Sequence, residues 1–207
     1  MEFTMRKMFL FAVAGLLFNV SAIADGPGKT NAKDKTLAVD TKSSTITWGA
    51  KKVTGTHAGT VPLESGSLIV DGDKLKGGNF VADIKSLVVT DITDKEMNGK
   101  LTGHLKSDDF FSVEKHPQAK LVISSVTPKG GNAYDVTGKL TIKGITQEVK
   151  FPATVKSDAQ KVTAVAKVTI DRTKYDIKFR SSNFFENLGD KAIDNDFTLD
   201  VNLVANK

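Results

Sequence analysis

The sequence predicts an all-β fold: a single antiparallel barrel of about eight strands, with one or two short helices near its mouth. From Thr41 to Ala205 apolar residues recur mainly at every second position, the period of a strand with one buried face. Gly and Asp punctuate these runs at short intervals, as hairpin turns require. Only two long stretches, around residues 91 to 117 and 175 to 195, leave that period. Consecutive hairpins close into an up-and-down barrel or stack as a sandwich. The barrel is favoured because closure leaves no exposed edge strand.

Ile46, Trp48 and Ala50 alternate with Thr45, Thr47 and Gly49 and mark the first strand; Thr54 to Gly59 is expected to break or bulge it. Gly66 to Asp71 is a second run, turned by Asp71-Gly72-Asp73 into Asn79 to Val89, where Phe80, Ala82 and Ile84 share a face. Thr93 and Glu96 have capping-box spacing, and Met97, Leu101, His104 and Leu105 follow on one side of a predicted short helix. Gly99 and Gly103 weaken such a helix, so close approach to the barrel end is the expected reason for them. Ser107-Asp108-Asp109 reads as a second helix cap, and Pro117 closes the segment. Strands resume over Ala119 to Thr127, Asn132 to Ile142, Ile145 to Lys156 and Lys161 to Asp171. The last runs through Phe197, Leu199, Val201 and Leu203, after a connection with a helical turn expected from Ser182 to Leu188.

Residues 1–24 are set apart from the fold. Arg6-Lys7, the apolar run Met8 to Phe18 and Ala22-Ile23-Ala24 have the order of a secretory signal peptide, with cleavage expected after Ala24 and Met5 as an alternative start. The apolar run is shorter than the ~20 residues a spanning helix needs. Asp25 to Asp40 is polar and expected to be a flexible leader, leaving 41–205 as the barrel domain. Removing Arg6, Lys7 and Glu2 lowers the net charge from +5 to +4. That charge is spread without a basic block, which argues against nucleic acid as a partner. No cysteine is present, which excludes disulfides, thiol catalysis and a lipid anchor on an N-terminal cysteine.

Phe110-Phe111 and Phe184-Phe185 both fall in the non-strand segments. If those segments cap one end, their rings either plug the barrel as core or line a cavity mouth. Ala50, Ala82, Ala119, Ala153, Ala164 and Ala166 are all predicted to face inward. An eight-stranded barrel is wide enough to be filled or to hold one small ligand, and small inward residues favour a cavity. His57, His104 and His116 lack metal-site spacing. His104 is either a polar contact for a ligand head or an ordinary packed histidine. Asp108 and Asp109 are either general bases or caps. No nucleophile-elbow, phosphate-loop or dinucleotide motif occurs.

Several motifs in order give a family resemblance. Ser44-Thr45-Ile46-Thr47-Trp48, Gly103 to Phe111 (GHLKSDDFF), His116-Pro117, Val136 to Thr146 (VTGKLTIKGIT) and Ile170-Asp171-Arg172 together resemble the YceI-like family, over about Val39 to Ala205. The resemblance implies a lipocalin-like barrel whose hydrophobic cavity binds polyisoprenoid or similar amphiphilic lipid, in the periplasm or outside the cell. The family's R-D-x-H-L is here Leu101 to Leu105 (LTGHL), without the arginine and aspartate.

The expectation is therefore an exported, non-enzymatic lipid-binding protein. Trp48, Phe80, Phe151 and Phe197 are expected in the cavity wall, Phe110, Phe111, Phe184 and Phe185 at the opening, and His104 as a polar contact. No cofactor or metal is expected. The partner is an amphiphilic lipid, with transient membrane contact and a monomeric or homodimeric state. The alternatives are a packed barrel that acts in cell-envelope interaction or stress without bound lipid, and a lipid hydrolase using His104 with Asp108 or Asp109.

Overall fold

The computed structural model describes residues 33–207; the expected signal peptide and the first part of the expected leader lie outside them. Eleven strands form one antiparallel sheet. In chain order they are β1 (Lys35–Ala38), β2 (Thr45–Lys52), β3 (Gly55–Thr60), β4 (Leu63–Asp71), β5 (Lys74–Asp83), β6 (Val88–Val89), β7 (Gln118–Gly130), β8 (Ala133–Ile142), β9 (Ile145–Ser157), β10 (Lys161–Asp171) and β11 (Ile193–Asn206). One helix, α1 (Lys95–Lys106), lies between β6 and β7.

The sheet closes on itself. β2 pairs with β11 on one side and β3 on the other, and from β4 each strand pairs onward through β5, β7, β8, β9 and β10 back to β11. β1 and β2 are two parts of one bent arm, as are β3 and β4. Backbone bonds at the bends, Val61 N–H to Ile46 O (3.0 Å) and Val39 N–H to Gly66 O (2.9 Å), carry the pairing across. Eleven segments therefore make a ring of about eight staves, the size whose interior side chains just fill or barely leave a void. The bends are why the count exceeds the expected eight.

Alternation sets which face is buried. In β8 the buried residues include Tyr134, Val136, Leu140 and Ile142, and in β10 they are Val162, Ala164, Val168 and Ile170. Full burial of such side chains contributes about 1.5–3 kcal/mol each, so a register slip of one residue is strongly disfavoured. At the end bearing the turns 71–74, 130–133 and 157–161, Leu37, Val70, Tyr134, Val162 and Ala205 fill the interior. Both long connections, 84–117 and 172–192, cover the opposite end.

Several local expectations are corrected. Lys35–Ala38 of the expected leader is a strand, because Leu37 and Val39 supply buried side chains and β4 an edge to pair with. Thr54 to Gly59 is not a break but mostly β3, which completes a hairpin with β2. Gly59 is needed there: a Cβ would fall 1.9 Å from Val88 O and 2.7 Å from the Trp48 ring. The helix is capped by Asp94, whose Oδ1 accepts the Met97 N–H at 2.8 Å, not by Thr93. A carboxylate also complements the helix dipole. Gly99 and Gly103 face open space and do not mediate close packing. Ser107 ends α1 instead of starting a second helix: its N–H bonds back to His104 O. Ser182 to Leu188 is a turn in which the Ser181 carbonyl accepts both the Phe184 and Phe185 N–H groups at 3.0 Å, and it is not helical.

Candidate functional site

A cavity of about 210 Å³ lies inside the barrel, between its filled end and its capped end. All six alanines expected to face inward line it, as do Trp48, Phe80, Phe151 and Phe197 from the wall. The small residues leave the space that Leu or Phe at those positions would occupy. Its lining is almost wholly aliphatic and aromatic; the charged members are Lys120, Arg172, Asp194 and Asp196.

The two connections meet over this cavity. Phe110, buried, and Phe111, half-buried, line it from above together with Leu105, Ile84 and Leu87. They are brought inward by a chain reversal after α1, in which Phe111 N–H bonds to Leu105 O (3.1 Å), Val113 N–H to Lys106 O (3.0 Å), and Ser112 takes a left-handed φ of 49°. Asp108 stabilises the reversal by accepting from Lys115 Nζ (2.8 Å) and from the Ser112 hydroxyl. Those hydrogen bonds, that of Lys115 first, hold its carboxyl below the usual carboxylate range.

His104 is placed differently from expectation. It does not line the cavity. Its ring stands edge-on to Phe110 (centroids 5.0 Å apart) and Phe179 (4.7 Å), and Asp109 Oδ2 accepts from its Nε2 at 3.0 Å. It thus joins α1 to the second connection. Lys143, in the β8–β9 turn, makes a second tie: its Nζ donates to Asp108 O (2.9 Å) and Asp176 O (3.1 Å), one carbonyl from each connection.

Phe184 and Phe185 are not at the cavity. They are 50% and 48% exposed, and neither lines it. From this connection Ile177 lines the cavity, while Phe179, half-buried, packs against His104 and Phe110. No sequence period marks Phe179, which follows a 3₁₀ turn (Arg172–Tyr175) and not a strand.

Sequence reasoning missed Arg172 as a site residue. It is buried, lines the cavity, and donates to three carbonyls: Nη1 to Ile177 O (2.7 Å), Nε to Asp194 O (2.9 Å) and Nη2 to Ile193 O (3.0 Å). Burial lowers its pKa, countered in part by Asp171 and Asp194. One side chain thus shapes both the start of β11 and the connection before it. Tyr175 is also buried, with its hydroxyl unpartnered in the protein, and burial pushes its pKa up to about 12. Among the described residues no three potential metal ligands converge, and no helix is long and apolar enough to cross a membrane.

Comparison with known proteins places this architecture. The YceI-like domain profile matches residues 37–205. A UPF0312 protein of Pseudomonas putida is 44% identical over 57 residues, which is 28% of this chain and 30% of that protein's length. The crystal structure of BcnA from Burkholderia cenocepacia superposes with a TM-score of 0.62 at 25% identity, over 81% of this chain and 99% of BcnA. A polyisoprenoid binding domain from Saccharophagus degradans, implicated in plant cell wall breakdown, also gives 0.62, at 15% identity over 82% of this chain and 97% of its own; that likeness is one of fold. With a profile match running from β1 into β11, the chain belongs to the YceI-like family.

Proposed function

We propose that the protein binds an amphiphilic lipid of the polyisoprenoid kind, holding its apolar tail in the barrel and performing no catalysis. The observation that carries this reading is the apolar cavity of about 210 Å³ in a barrel filled at one end and roofed by Phe110 and Phe111 at the other. Each tail CH₂ buried there contributes about 0.8 kcal/mol, before the cost of ordering the tail. The volume lies below the ~300–1,000 Å³ usual for drug-sized ligands, so a long tail extends past Phe111 into the cap. Phe111, half-buried, is the residue placed to yield.

The geometry gives little support to hydrolysis. His104 Nε2 meets a carboxylate, and its ring is packed between two phenylalanines with no hydroxyl nucleophile bonded to it. Arg6-Lys7, the apolar run to Phe18 and Ala22-Ile23-Ala24 support export, which puts the carrier in the periplasm or outside the cell.

Native mass spectrometry of detergent-free protein from the exported fraction tests the proposal. The expected result is an added mass released by organic solvent and identified as an isoprenoid or acyl lipid, lost in Phe111→Asp with the fold retained. A bare mass that stays bare after incubation with polyisoprenoid lipid overturns it in favour of a packed scaffold.

A further inference from the structure

The cavity reaches Leu105 at the end of α1. A tail that continues along the same face of the helix meets Leu101 next, one turn back and packed against the core. Two glycines flank Leu101 at equal distance. Gly99 and Gly103 are exposed, a Cβ at either would meet no atom within 4 Å, and neither takes a left-handed φ. Close packing and chain turning therefore give no reason for them, although each disfavours a helix roughly fourfold against alanine.

Ties stand on both sides of this stretch. Before it, Asn98 Nδ2 donates to Val89 O and Ile92 O (2.9 Å each), and Asp91 accepts the Ala58 N–H (3.0 Å) and His57 Nδ1 (2.8 Å). After it, His104 is held by Asp109, Phe110 and Phe179, and Phe111 N–H bonds to Leu105 O (3.1 Å). Between these ties, residues 99–103 include no buried side chain. Their side-chain bonds, Lys100 to Glu96 and Thr102 to Asn98, stay within the helix. Where the second connection covers the cavity the chain is held fast: Ile177 is 1% exposed, and Arg172 donates to three carbonyls.

We propose that residues 99–103 are an expandable part of the cavity roof, in which Gly99 and Gly103 determine the length of tail the protein accepts. A tail too long for the cavity takes the place of Leu101. A rigid helix tied at both ends cannot move aside, so the stretch between the ties unwinds, and the glycines set how readily it does. Segments with little burial occupy the low end of a protein's range of local stability, which is where such opening is drawn from. The inference rests on the lipid-binding reading and names what governs its selectivity.

Trp48, the sole tryptophan, lines the cavity, so its fluorescence reports the binding of geraniol, a short isoprenoid alcohol, and of geranylgeraniol, twice its length. In Gly99→Ala/Gly103→Ala the affinity for geranylgeraniol is expected to fall roughly tenfold or more, because the bound state must unwind two better helix formers. Geraniol, which leaves Leu101 in place, should bind both proteins within about twofold. Saturating geranylgeraniol should also speed amide hydrogen exchange across 99–103 of the wild type, with β8 and β10 unaffected. Unchanged geranylgeraniol affinity in the variant, an equal loss for both alcohols, a wild type that takes geraniol alone, or exchange across 99–103 that does not rise overturns the inference and leaves the cavity reading intact. A wild type whose tryptophan responds to neither alcohol and that stays bare in mass spectrometry overturns the cavity reading, and the inference with it.

Discussion

Two identical dipeptides, Phe110-Phe111 and Phe184-Phe185, sit in the two connections that cap the same end of the barrel, yet one pair roofs the cavity and the other points into solvent. The flanking chain decides. After α1, Leu105, Val113 and a left-handed Ser112 turn the chain back onto the barrel, so the rings have no direction but inward. Around Phe184 the neighbours are Ser182, Asn183, Glu186 and Asn187, all exposed, and the residue of this connection that reaches the cavity is Ile177. Aromatic pairing in a sequence is therefore no guide to burial unless the residues on either side supply an anchor.

Stability measurements break the comparison most directly. Phe110→Ala should cost about 3–5 kcal/mol in urea unfolding, as large-to-small changes at buried aromatics do, whereas Phe184→Ala should stay within about 0.5 kcal/mol. Equal effects would mean that the second connection folds inward in solution. Arg172→Met comes next, at about 3 kcal/mol, because the buried Ile177 carbonyl and the part-buried carbonyls of Ile193 and Asp194 lose a charged donor together. A near-zero change would show that the connection is held by Ile177 and Phe179 packing alone.

Tyr175 sharpens the same contrast through pH. Its hydroxyl is buried without a partner and its pKa is raised from 10.0 to about 12. Ionisation is thus easier in the unfolded chain, so this group's contribution is intact below pH 10 and is lost as pH rises toward 12, by up to about 2–3 kcal/mol. Tyr175→Phe should lack that component of the alkaline loss, and at pH 7 should be neutral or more stable by about 1 kcal/mol, since it removes an unsatisfied polar atom. Parallel alkaline unfolding curves for the two proteins would show that the hydroxyl finds a partner.

The wall was legible because one rule governs it. Alternation places a residue on the inner or outer face regardless of distant contacts, so Trp48, Phe80, Phe151, Phe197 and all six inward alanines could be placed from spacing alone. The cap was not legible, because its order comes from polar ties between segments far apart in sequence. Lys143 reaches carbonyls of residues 108 and 176, and Arg172 reaches those of residues 177, 193 and 194. Nothing local distinguishes Lys143 from the solvated lysines of the strands, and the motif Ile170-Asp171-Arg172 marks Arg172 without indicating which carbonyls it reaches. His104 was legible as unusual but not as a bridge, since Phe179, which completes its packing, lies 75 positions on.

The smallest effect separates two explanations of the helix glycines. If Gly99 and Gly103 let α1 approach the barrel, adding a methyl group would force it away and destabilise the cap. In the structure no atom lies within 4 Å of a Cβ at either position, and neither takes a left-handed φ. The helix has no buried residue and is held by Leu101 and Leu105 on one side and by Asn98, whose Nδ2 donates to Val89 O and Ile92 O at 2.9 Å each. An alanine methyl would then only restrict the unfolded chain and favour the helical backbone. Gly99→Ala and Gly103→Ala should each raise stability by about 0.5–1 kcal/mol, and nearly additively in the double variant. A loss at either site, read as a lower urea midpoint, would restore close approach as the reason for that glycine.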